Sequence, residues 1–165
     1  MNKKEKTITL LIKVIGLILF GMIINLFVHE LSHLLILIFV NGEPIKMSFG
    51  EESFVGGYVE QKYISVVALA SIYIPTIISF LMAFVKKKYL QILNAGFTVP
   101  IIVNWIMGVF ATFFIKGDYQ RSTFDISLAI DNTSYDFIVY TIIVFVAVAN
   151  VFAILRSFKT IEGMV

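Results

Sequence analysis

The chain has 165 residues, of which 59% are hydrophobic and only 15% charged, so a soluble domain of this size would leave many apolar side chains in water. Its formal net charge of +2, with no basic cluster interleaved with aromatics, excludes a nucleic-acid-binding surface. The absence of cysteine excludes disulfides, thiolate zinc sites and cysteine nucleophiles. Together with a mean hydropathy of +0.93, these values predict an all-α membrane protein, built as a single domain over residues 1–165 and embedded in a lipid bilayer.

In chain order, Lys3, Lys4 and Lys6 precede an apolar run that reaches Val40 without a small-residue cleavage site. That pattern reads as a retained first helix rather than a signal peptide. About four transmembrane helices are expected, over residues 8–40, 64–85, 89–115 and 137–155. The first is longer than the ~20 residues a crossing needs. After it, Pro44-Ile45-Lys46-Met47-Ser48-Phe49 and Phe54-Val55-Gly56-Gly57-Tyr58-Val59 flank Gly50-Glu51-Glu52-Ser53. Their partial alternation predicts a small β-hairpin at the membrane surface, whose strand edge would pair with an extended substrate segment. A short helix is expected near residues 126–130, in the connection before the last span.

Charge orients the spans. Lys86, Lys87 and Lys88 join the basic residues of the amino terminus with Arg156 and Lys159 on one side of a four-crossing chain. Glu43, Glu51, Glu52, Glu60, Asp118, Asp125, Asp131 and Asp136 occupy the other two connections. The positive-inside rule then predicts cytoplasmic termini, in a cell (plasma) membrane.

The chemistry concentrates in His29-Glu30-Leu31-Ser32-His33, which holds both histidines of the chain. Four residues apart on a helix, the two imidazoles share a face and can ligate one Zn²⁺. Glu30, beside the first, is placed to act as general base toward a zinc-activated water. These are the ionisable residues between Lys13 and Glu43, and such groups persist inside a bilayer mainly where they pair or work.

Here the chain resembles the site-2 protease family of intramembrane zinc metalloproteases. The resemblance runs from Phe27-Val28-His29-Glu30-Leu31-Ser32-His33 through Asn41-Gly42 and Gly56-Gly57-Tyr58-Val59 to Ala68-Leu69-Ala70-Ser71-Ile72-Tyr73-Ile74-Pro75. It implies a zinc helix, then a surface hairpin, then a helix opening with small residues and proline. It also implies Zn²⁺ as cofactor and a membrane protein or membrane-proximal peptide as substrate. Two positions depart from the family: Ser32 stands where glycine is usual, and no Asp-Gly pair is present to supply the third ligand.

A catalytic zinc needs three protein ligands and an open position. His33 lies about two turns before Asn41, which places the metal in the outer half of the bilayer. The second outer loop, with Asp118, Asp125, Asp131 and Asp136, is therefore the source of the third ligand. Asp125 is preferred, because Phe124 and Ile126 would anchor it and Asp125-Ile126 resembles the context in some small family members. Asp118 is the alternative metal ligand. Asn104, four residues after Pro100, is read either as an oxyanion or substrate contact or as an interhelical hydrogen bond. The function expected is intramembrane peptide-bond hydrolysis. The rival reading is a non-hydrolytic membrane protein: a metal binder, an inactive relative that binds substrates, or a scaffold.

Overall fold

The structure, a computed structural model, describes residues 3–48, 54–115, 125–133 and 136–163. Among the described residues, five α-helices and two strands follow one another: α1 (Lys3–Phe39), β1 (Glu43–Ser48), β2 (Phe54–Tyr58), α2 (Ile64–Met82), α3 (Lys88–Phe114), α4 (Asp125–Asp131) and α5 (Asp136–Glu162). Four helices among the described residues, Glu5–Phe39, Gln61–Met82, Lys88–Phe114 and Phe137–Glu162, are long and apolar enough to cross a membrane. This is an all-α fold of integral membrane type.

Its surface and its interior are inverted relative to a soluble bundle. Leu11, Ile12, Leu19, Phe20, Phe113 and Val148 are exposed, while Glu30, Ser71, Thr76, Ser79, Asn94 and Asn150 are buried. An apolar exterior on this scale suits hydrocarbon and not water. Buried polar groups then pair between helices. Asn94 Nδ2 donates to the Ser79 carbonyl at 3.1 Å, the Ser79 and Thr98 hydroxyls lie 2.6 Å apart, and Asn150 Nδ2 donates to Thr76 Oγ1 at 2.8 Å. Gln91 Nε2 donates to the Met82 and Ala83 carbonyls at the end of α2.

α1 runs unbroken for 37 residues, about 55 Å at 1.5 Å per residue. It stops at Asn41, whose φ of 58° is the left-handed conformation that asparagine tolerates. There the Gly42 N–H donates back to the Leu37 carbonyl at 2.8 Å and the Asn41 N–H to Ile38 at 3.1 Å, which closes the helix end. β1 and β2 follow and pair antiparallel, with Glu43 opposite Tyr58 and Ser48 opposite Phe54. The register shifts between Pro44 and Lys46. Residues 49–53, between the strands, lie outside the described residues.

α1 packs on α3 and α2, and α5 covers α3 and α2 from the other side. The α1–α3 crossing is made by glycines. A Cβ on Gly21 would lie 2.2 Å from the Leu93 carbonyl oxygen, and one on Gly96 2.0 Å from that of Ile18. Small residues let helix backbones touch in this way inside a membrane. Gly21→Ala or Gly96→Ala should therefore destabilise the fold by about 1–3 kcal/mol. Gly16→Ala, where nothing lies within 4 Å, should not. Unfolding of the detergent-solubilised variants checks the contrast, and equal stability of all three would refute the crossing.

Candidate metal centre

His29 and His33 project from adjacent turns of α1, with ring centroids 5.1 Å apart and planes at 86°. Asp125, the first residue of α4, meets them both. Its Oδ2 is 3.3 Å from His29 Nε2 and its Oδ1 is 3.3 Å from His33 Nε2. One donor atom from each of the three residues falls within 4.8 Å of the others, a spacing one metal ion can bridge.

α2 orients the ligands. His33 Nδ1 lies 2.9 Å from the Val67 carbonyl. A proton on Nδ1 is then donated to that oxygen, which leaves the Nε2 lone pair turned toward Asp125. Pro75 has no N–H to donate to the residue four positions earlier, so the Ser71 carbonyl is left without its helical donor. The Ser71 side chain serves the third ligand, with Oγ donating to Asp125 Oδ2 at 2.7 Å. Asn104 Nδ2, from α3, donates to the same oxygen at 3.2 Å.

Glu30 lies beside this group, only 2% exposed, with Oε1 4.0 Å from His29 Nε2. Its Oε2 is buried and has no hydrogen-bond partner among the described residues. Asn25, one turn earlier on α1, also buries an unpartnered Nδ2. An orphaned carboxylate oxygen against two imidazoles and a second carboxylate is costly as mere packing. It suits a centre that holds a divalent ion through nitrogen and oxygen donors and leaves a general base at its side.

α4 is itself pinned. Ile126 is fully buried, Ser65 Oγ donates to the Ala129 carbonyl at 2.9 Å, and a Cβ on Gly108 of α3 would lie 2.8 Å from Ile126 Cβ. Glycine at 108 thus sets how closely Asp125 approaches α1.

His29, Glu30, His33, Asp125 and Asn104, all singled out from the sequence, meet in one place. Asp118, the alternative ligand, lies outside the described residues. Ser71 and the Val67 carbonyl were not singled out as functional groups. The position of Ser71 four residues before Pro75 was the available signal for it; a backbone carbonyl leaves none. No family model, no curated protein and no solved structure matches the chain.

Gly108→Val should push Ile126, and Asp125 with it, away from the histidines. Zinc affinity should fall roughly tenfold, by analogy with the loss of a supporting contact. Competition with a chromophoric chelator measures this, with circular dichroism to verify that the helices persist. Unchanged affinity would mean that Asp125 is not held by this contact.

Proposed function

We propose that the chain is a zinc metalloendopeptidase that hydrolyses peptide bonds of membrane or membrane-proximal substrates. The observation that carries the reading is the convergence of His29, His33 and Asp125 around a buried Glu30 whose Oε2 has no partner among the described residues. The first two and Glu30 form the His-Glu-x-x-His pattern of zinc peptidases, and Asp125 brings the ligand count to the three that a catalytic zinc uses. The residues also agree with the resemblance to the site-2 protease family.

His29, His33 and Asp125 would hold the ion. Bound zinc supplies a Lewis acid, which polarises a peptide carbonyl and acidifies water near neutral pH. Glu30 Oε2 takes the proton of the attacking water and returns it to the leaving amine nitrogen. Asn104 has two amide N–H groups. One is engaged with Asp125, and the other is the donor we assign to a substrate carbonyl or oxyanion. Residues 41–62, with β1 and β2, would lie at the membrane surface and present a strand edge to an unwound substrate segment. Both termini would face the cytoplasm of a cell whose plasma membrane houses the protein.

Purified protein should carry about one zinc per chain, lost in His29→Ala and in Asp125→Ala. Glu30→Gln should keep the zinc and lose cleavage of a model transmembrane peptide by roughly 10²–10⁴-fold. Zinc with no Glu30-dependent cleavage would favour the rival, a non-hydrolytic metal-binding membrane protein. A wild type without zinc, fully supplied with metal, would leave a scaffold with a packed polar cluster.

A further inference from the structure

The two oxygens of Asp125 differ in what surrounds them. Oδ2 accepts from Ser71 Oγ at 2.7 Å and from Asn104 Nδ2 at 3.2 Å. A carboxylate oxygen has about two lone-pair directions, so these two donors occupy it. Oδ1 accepts from neither of these donors: it lies 3.3 Å from His33 Nε2, as Oδ2 lies 3.3 Å from His29 Nε2. Ser71 Oγ also lies 2.9 Å from the Ala68 carbonyl. A hydroxyl has a single proton, and the ionised carboxylate is the stronger of the two acceptors.

Resting on the metal-site reading above, we propose that Ser71 and Asn104 are positioning residues that jointly engage Asp125 Oδ2 and so make Asp125 a one-oxygen ligand through Oδ1. The donors come from two separate helices, α2 and α3, so the carboxylate is fixed against both swing and rotation. This has a chemical consequence. A carboxylate that turns to offer both oxygens raises the coordination number, and a metal with two histidines and a bidentate aspartate has less room for a substrate carbonyl. Ser71 and Asn104 would keep that position open without touching the metal, through the hydrogen bonds they donate to Oδ2.

The test uses full-length protein in detergent, with zinc affinity read by chelator competition and Co²⁺ as a spectroscopic substitute. Ser71→Ala and Asn104→Ala should each weaken zinc binding roughly 10–100-fold, and Ser71→Thr, which keeps the hydroxyl, should restore it. In the Ser71→Ala/Asn104→Ala double variant the visible Co²⁺ bands should lose intensity, as expected when a four-coordinate centre gains a fifth ligand atom. A purely structural role would change thermal unfolding of the metal-free protein and leave the cobalt spectrum of the folded fraction as it was. Ser71→Ala removes a single oxygen atom and carries the test if Asn104→Ala does not fold. Wild type that binds both metals, with affinity and spectrum unchanged in Ser71→Ala, overturns this inference alone. Wild type that binds neither metal overturns the site itself and the inference with it.

Discussion

Ionisable groups between apolar helices need partners, and that constraint organises this molecule. Two imidazoles and two carboxylates lie among helices whose outer faces are leucine, isoleucine and phenylalanine. An uncompensated charge there costs several kcal/mol. The partners come from α2, where Val67 offers a carbonyl to His33 and the Ser71 hydroxyl reaches Asp125. A helix normally spends its carbonyls on its own ladder. Pro75 breaks one rung and leaves the Ser71 carbonyl without its helical donor.

Bringing α2 and α4 onto the histidine face of α1 requires the neighbouring helices to stand close. Glycines 21 and 96 let α1 and α3 touch backbone to backbone, and Gly108 lets α3 receive Ile126. The three glycines share a logic. Each removes a side chain where a carbonyl or a buried isoleucine must sit, and each lies within about three turns of a site residue on its own helix. Farther along the bundle the pins are polar: Gln91 at the end of α2, Asn94 with Ser79, Asn150 with Thr76. Lipid gives helices no hydrophobic reason to associate, so close contacts and hydrogen bonds carry the packing.

Much of this was legible from the residues. Four apolar runs announce four helices, and the structure extends α1 and α5 beyond the expected limits because Lys3 and Glu162 continue a helix that hydropathy alone would end. His29 and His33 were legible from their spacing. Asp125 stands out among the loop aspartates because Phe124 and Ile126 flank it; Ile126 is fully buried. Less legible was how the ligands are held. Backbone carbonyls have no letter in a sequence, and the convergence of Ser71 and Asn104 on one oxygen joins residues 33 positions apart. Nor does hydropathy reveal that Glu30 keeps an oxygen without a partner.

The single tryptophan of the chain stands next to Asn104. The Trp105 indole N–H donates to the Ile143 carbonyl at 3.0 Å, which ties α3 to α5 one residue from the Asp125 contact. The protein therefore carries a built-in fluorophore at the seam between its site-bearing helices and its bracing helix. Any displacement of α3 that alters Asn104 must also strain or free that indole, so events at the centre acquire an optical signature without a label.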